Sequence, residues 1–205
     1  MPTRTKTHLR TSRQESRERI VAAATELIRR TPYGALTVDD VMREAGIGRT
    51  LFYRHFDDLA DLLMRAGREA FGALLEAERA LSEAAAGSGD DADVVRAAIE
   101  PAVAVYERHG PLMRAIAEAA AAGDEQIAAG RAAWRERFDD LVAGILRAAP
   151  GLASLSDEQI AERARALNLM NENYLLDAFG REPRVPAQTA VATLTPIWSA
   201  VMQSA

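Results

Sequence analysis

The stretch "LTVDDVMREAGIGRTLFYRHFDDLADLL", residues 36–63, decides the fold. Thr37 is a good helix N-cap, and Asp40, three residues on, puts negative charge near the positive helix end. Val38, Val41, Met42 and Ala45 then recur on one face. Gly46 stops this short helix, because a glycine just past the last turn takes the left-handed conformation at little cost. Gly48 starts a second short helix that runs through about Phe56. Short helix, glycine turn, short helix is the sequence form of a helix-turn-helix.

Only 5% of the chain is aromatic, yet Phe52, Tyr53 and Phe56 fall within five residues. Helical spacing divides them by face. Leu51 and Phe52, with Phe56 one turn on, supply a back that packs on other helices. Gly48, Arg49 and Thr50 open the helix, where side chains of a recognition helix reach base edges in a major groove about 12 Å wide. An arginine grips guanine bidentately and a threonine methyl meets thymine. Tyr53 and His55 are placed to donate to phosphates, contacts that set register without reading sequence. Taken alone, the same pattern also fits a helical hairpin in any α-helical protein.

Upstream, Ile20, Ala24, Leu27 and Ile28 form one helical stripe that begins near Glu15 and stops before Pro32 and Gly34. Residues 1–13 carry Arg4, Lys6, Arg10 and Arg13 and no acid, and lack apolar periodicity. They read as a flexible basic arm, with Arg10 and Arg13 as further DNA contacts. Charge supports this. Residues 1–56 hold eleven Arg or Lys against six Asp or Glu, whereas the remainder holds fourteen against twenty-four. A basic first quarter on an acidic body is where a polyanion would meet the chain.

The 205 residues suffice for a sizeable core. No apolar run approaches the roughly 20 residues that cross a bilayer, and no apolar region follows the basic start as in a secretory signal. Cysteine is absent and the three histidines, His8, His55 and His109, lack metal-ligand spacing. No nucleophile elbow, phosphate loop or acid–base cluster marks an enzyme. The expectation is a cytoplasmic protein without cofactor or metal.

Downstream, residues 56–81 read as a long amphipathic helix with Leu59, Leu62, Leu63, Ala66, Phe71 and Leu74 on its apolar side. "GSGDD" at 87–91 reads as a loop. Further helices are expected near 92–109, 111–122, 124–148, 156–179 and 187–203, with Gly110-Pro111 as a break and "SDEQ" at 156–159 as a capping box. Pro101 and Pro196 sit inside helical patterns and should kink them. No stretch alternates like a strand. The fold class is all-α with about nine helices: a flexible arm over 1–14, a three-helix helix-turn-helix DNA-binding domain over 15–60, and a helical ligand-binding and dimerisation domain over 61–205.

In the last domain, Ile160, Ala164, Leu167, Asn171, Tyr174 or Leu175, and Ala178 share a stripe. Asn171 interrupts it, with Asn168 one turn before. A buried amide without a partner costs about 1–3 kcal/mol, so each asparagine needs a backbone group, a water or a ligand. Asn173 faces elsewhere. Trp134 and Phe138, one turn apart, share a face.

The 36–63 stretch resembles the DNA-binding region of the TetR family of one-component transcriptional regulators, in its T-V-D-D helix start, A-G-I-G turn and F-Y-R-H-F signature. The resemblance covers about residues 15–65. It implies a homodimer, usually a repressor, that binds a double-stranded DNA operator and takes a small molecule in its all-α body. On this sequence it implies phosphate contacts from Thr37 and Tyr53, base contacts from Arg49 and Thr50, and His55 at the backbone. Leu59 departs from the pattern, where the family commonly has a lysine, and follows Asp57 and Asp58. A leucine cannot bind phosphate as that lysine does, and the basic arm is the source of compensation.

"LNLMNE" and the distal T-L-x-x-I-W resemble the EthR-like branch of that family, where the two asparagines of the motif bind ligands in an apolar tunnel. By that resemblance Asn168 and Asn171 are polar anchors for a small apolar effector, and Tyr106, Trp134, Phe138 and Trp198 are its walls. Each of these aromatics also fits plain core or dimer packing. The resemblance further implies that the last two helices, carrying Leu167, Leu175, Val191, Leu194 and Val201, pair with their two-fold mates. A DNA-binding regulator or architectural protein without an effector is the alternative.

Overall fold

The computed structural model describes residues 4–85 and 91–203, with side chains placed over 13–76 and 95–203. Among these residues it is all-helical: α1 (Arg4–Arg30), α2 (Val38–Ala45), α3 (Arg49–Phe52), α4 (Leu59–Ala85), α5 (Asp91–Ala121), α6 (Glu125–Ala148), α7 (Asp157–Phe179) and α8 (Ala187–Gln203). Single 3₁₀ turns lie at Tyr33–Ala35 and Pro150–Leu152.

Local sequence signals account for most boundaries. The hydroxyl of Thr37 accepts from the N–H of Asp40 at 3.2 Å, while the Asp40 carboxylate accepts from the N–H of Thr37 at 3.2 Å, which makes a reciprocal box at the start of α2. Gly46 ends α2 with φ 65° and ψ 34°. Arg19 of α1 donates to the carbonyl of Ala45 at 2.7 Å, so a cation from another helix satisfies an orphaned C-terminal carbonyl. Ser156 and Gln159 form the expected box on α7, and Asp124 caps α6 through the N–H of Ile127 at 3.0 Å. Asp58 accepts from the N–H of Asp61 at 2.8 Å. This acid, conspicuous beside a DNA surface, is the N-cap of α4.

Two expectations are corrected. The stretch read as a flexible arm is helical from Arg4. It has no glycine, and no proline after Pro2, so once α1 docks through Ile20, Ala23 and Ala24 nothing stops it extending upstream. The side chain of Arg10 lies outside the described residues, as do residues 87–90 of the expected loop. The second correction is α5, which runs unbroken through Gly110 and Pro111. This merger leaves eight α-helices among the described residues where about nine were expected. Gly110 serves packing: a Cβ there would lie 2.3 Å from the carbonyl oxygen of Phe179. Glycine lets α5 meet the end of α7 at backbone contact, and Pro111 is buried at the same crossing.

Two apolar clusters form. The smaller joins Ile20 and Ala24 of α1, Leu36, Val41 and Met42, Phe52, Phe56, and Leu62 of α4. The larger fills the body from α4 to α8. Helix α4 belongs to both: Leu59 and Leu62 pack in the small cluster, and Leu63, Phe71 and Leu74 in the large one.

Candidate DNA surface and body cavity

Phe52 and Phe56 are 0% and 1% exposed, with ring centroids 5.6 Å apart. They are the back of the second short helix, and Leu51 packs half-buried beside them. That helix is shorter than expected. One α-turn, Arg49–Phe52, passes into a tighter turn closed by His55 N–H to Phe52 C=O at 2.8 Å. Gly48, Arg49, Thr50 and Tyr53 are exposed, and Tyr53 is 52% so. Among the described residues nothing lies within 4 Å of where a Gly48 Cβ would stand, which leaves this edge open.

The exposed side chains are held in a network. The Nη1 of Arg49 donates to both carboxylate oxygens of Asp39 at 2.8 Å, and its Nη2 donates to the hydroxyl of Tyr53 at 3.1 Å. Its guanidinium lies 5.7 Å from the Tyr53 ring centroid. Asp39 is the residue the sequence reading missed. It stands two positions after the Thr37 cap, where an acid is explained by the helix dipole alone. Thr37 is exposed, but its hydroxyl is engaged by Asp40. Asp40 is held below the usual carboxylate range first by that hydroxyl and then by Arg43.

His55 is half-buried against α1. Its Nε2 lies 2.8 Å from the Ser16 hydroxyl, which itself donates to the Arg13 carbonyl at 2.9 Å. A hydroxyl has one proton to give, so His55 donates here and carries its proton on Nε2. Burial, then Arg13, Arg17 and Arg54, push its pKa below the ordinary value. Arg13 is exposed and donates to the Arg54 carbonyl at 3.4 Å, which puts this turn of α1 beside the end of the helix-turn-helix. Leu59 packs partly buried against the small cluster, so the position where the family commonly has a lysine makes an apolar contact here.

In the body, α4, α5, α6 and α7 line a partly open cavity of about 60 Å³. Its apolar wall is Phe71, Leu74, Ala102, Tyr106, Phe138 and Leu175. Its polar wall holds Asn168 and Asn171, as expected, together with Arg131, Arg135 and Glu172, which sequence reading missed. Arg131 donates to Glu172 at 2.7 Å and Arg135 at 2.9 Å. Asn168 Nδ2 donates to Asp139 at 2.8 Å, and Asn171 Oδ1 accepts from the Trp198 indole at 3.1 Å. These partners dictate the amide orientations, because an indole only donates and a carboxylate only accepts.

Two anticipated walls are one layer back. Trp134 stacks on Phe71 with centroids 4.0 Å apart, and Trp198, 5% exposed, stands behind Asn171. Both face packed side chains, since an indole this large is placed by whichever neighbours fill its volume. Arg131, Arg135 and Phe138 fall at i, i+4 and i+7, a spacing that could have revealed the shared face.

The expected dimer residues also move. Leu167, Leu175, Val191 and Leu194 are buried within this one chain, and only Val201 stays partly open. Helix α8 has no charged residue over its 17 positions. Its exposed side carries Ala192, Thr193, Pro196 and Ile197. No described helix is long and apolar enough to cross a membrane, and no group of three potential metal ligands occurs among the described residues.

Comparison with known proteins gives two family matches along the chain. The family model described as bacterial regulatory proteins, tetR family, matches residues 20–66. That of the transcriptional regulator EthR, C-terminal domain, matches residues 95–203. The HTH-type transcriptional regulator EthR of Mycobacterium tuberculosis is 31% identical over 198 residues, covering 92% of this chain and 89% of its own. EthR of Mycolicibacterium smegmatis is 28% identical, covering 96% and 91%. The TetR family regulator PfmR from Thermus thermophilus superposes with a TM-score of 0.68 at 19% identity, over 90% of this chain and 96% of that one. A transcriptional regulator from Rhodococcus gives 0.69 at 23%, over 91% and 95%.

Proposed function

We propose, from the premise that this chain belongs to the TetR family of bacterial transcriptional regulators and carries an EthR-type C-terminal domain, that it is a cytoplasmic homodimeric repressor released from its operator by a small, largely apolar effector. The observation that carries this reading is the double membership of α4. Leu62 is in the DNA-binding core, and Phe71, nine residues on and about 14 Å along the axis, is in the cavity wall.

The cavity is about 60 Å³, whereas ligand pockets typically hold roughly 300–1,000 Å³. An effector must therefore part its walls. Displacing Phe71 and Leu74 tilts α4, and α4 carries Leu59 and Leu62 with it against Phe52 and Phe56. The recognition turns then change position. In a two-fold dimer bound to successive major grooves they must lie about 34–36 Å apart, so a small tilt is enough to spoil the fit. Coupling of about 1–3 kcal/mol alters operator affinity by about 5- to 150-fold, provided that the effector binds the two states unequally.

Arg49 and Thr50 read bases, while Tyr53, Arg13 and the basic residue Arg10 hold phosphates. Arg49 must leave Asp39 to do so. Thr37 and Gly48 lie at the edges of this surface. The charge-free α8, with Ala192, Pro196 and Ile197 outward, is the dimer face, because a helix without charge is suited to burial on both sides.

The test is to map bound genomic sites and recover the operator. Its binding is then titrated by fluorescence anisotropy with and without a library of apolar compounds. A compound that both raises the melting temperature and weakens operator binding supports the reading. Operator binding that no ligand changes would establish the alternative, a DNA-binding regulator without an effector.

A further inference from the structure

The cavity wall has an unbalanced charge. Helices α4 and α5 contribute only Phe71, Leu74, Ala102 and Tyr106. All of the ionic groups come from α6 and α7: Arg131, Arg135 and Glu172. One carboxylate thus serves two guanidinium groups. Asp139 accepts from Asn168 and is not part of the wall. The Arg135 Nε is buried and meets no hydrogen-bond acceptor among the described residues. Buried N–H groups are nearly always paired, and an orphan on a cation is costlier than one on a neutral group. The side chains of Arg131, Arg135 and Glu172 are 21%, 30% and 19% exposed. This places the charged group at the rim of the cavity, with Phe71, Phe138 and Leu175 deeper.

A purely apolar effector would bury itself against this surplus cation and leave the Arg135 Nε unpaired. A single anionic oxygen acid answers both deficits. Resting on the effector reading above, we infer that the effector is a monoanionic amphiphile: an apolar body seated among Phe71, Leu74, Phe138 and Leu175, with a carboxylate held by Arg135 and shared with Arg131. The carboxylate takes the Nε–H of Arg135 and joins Glu172 in the two-arginine clamp, in the planar geometry that guanidinium and carboxylate share. The Nδ2 of Asn171, whose Oδ1 is engaged by Trp198, is a second donor for the same head group. No covalent step is involved.

The test uses the full-length protein, straight-chain carboxylates of six to fourteen carbons, and the matching primary alcohols as neutral twins. Dissociation constants come from calorimetry and operator release from anisotropy. The expected result is a carboxylate that binds about tenfold or more tightly than its alcohol, the effect of one charge-assisted hydrogen bond. Arg135→Gln should reduce that ratio towards one. Glu172→Gln, which frees the clamp, should raise it, and a loss of fold cannot produce both shifts. Alcohols that bind and release the operator as well as or better than the acids would overturn the head-group assignment while leaving the effector reading intact. If neither class binds, the head-group assignment fails, and the effector reading is decided separately by the apolar library.

Discussion

Replacing Gly110 with alanine separates two accounts of α5. If Gly110 were only a flexible position in a helix, alanine would stabilise the protein by about 1 kcal/mol through helix propensity. The structure demands the opposite sign. The new Cβ would sit 2.3 Å from the carbonyl oxygen of Phe179 and 2.6 Å from its carbonyl carbon, both backbone atoms that no rotamer change can move. Ordinary contact begins near 3.5 Å, so α5 and α7 must separate by roughly 1 Å. Overpacking of this kind costs about 1–3 kcal/mol or more, and a backbone clash belongs at the upper end. Net of the propensity gain, we expect a loss of about 2 kcal/mol. In a chain of this size that lowers the melting temperature by about 4–8 °C.

Gly144 is the internal control. It lies exposed in α6, with nothing within 4 Å of an added Cβ. Gly144→Ala should raise stability by about 0.5–1 kcal/mol, or about 1–4 °C. Both variants are to be melted at one protein concentration by circular dichroism, because the midpoint of the proposed dimer would depend on concentration. A Gly110→Ala protein that melts at or above wild type would refute the packing account. The crossing also sets the spacing of α5 and α7, which carry Tyr106 and Asn171, so Gly110→Ala should alter effector affinity as well.

Three further predictions concern the DNA surface. Arg49→Ala should relax base preference by about 5- to 150-fold, the worth of a bidentate base contact, while Tyr53→Phe should weaken binding to all sequences about equally; selection from a randomised operator library measures both, and exchanged outcomes would reverse the face assignment. Because α1 begins at Arg4, changing Arg4, Lys6, Arg10 and Arg13 together to Gln preserves the helix and removes its charge. The slope of log affinity against log salt should become shallower by about 0.9 for each phosphate that is no longer neutralised, and an unchanged slope means that this segment does not touch DNA. His55 and His109 are both held below the ordinary imidazole pKa, chiefly through burial, then by Arg13, Arg17 and Arg54 at His55 and by Arg108, against an opposing Glu69, at His109. The unfolded chain therefore binds protons first as pH falls below 6.5, and the stability present above that value is lost as pH drops through the lower folded values. Urea unfolding across this range should show His55→Gln with a flatter pH dependence than wild type; identical curves would mean that burial and the neighbouring arginines do not hold His55 neutral.

The sequence by itself determined every feature that rests on neighbours within a turn or two. The Thr37–Asp40 and Ser156–Gln159 boxes, the left-handed Gly46, and the division of residues 49–56 into a buried Phe52/Phe56 side and an exposed Arg49/Thr50/Tyr53 side all follow from spacing and local hydrogen bonding. The ends of α6, α7 and α8 follow for the same reason. Tertiary structure alone decided what depends on partners far along the chain. Gly110-Pro111 reads as a break until Phe179, far along the chain, is seen to need the space of a missing side chain. Asp39 reads as a helix-start acid until the turn brings Arg49 onto it. Arg131, Arg135 and Glu172 read as solvated charges until α6 and α7 close on one another and leave two cations sharing one carboxylate. Local pattern limits each residue to a face; which neighbour meets that face is set by long-range packing, and the cavity's chemistry exists only at that level.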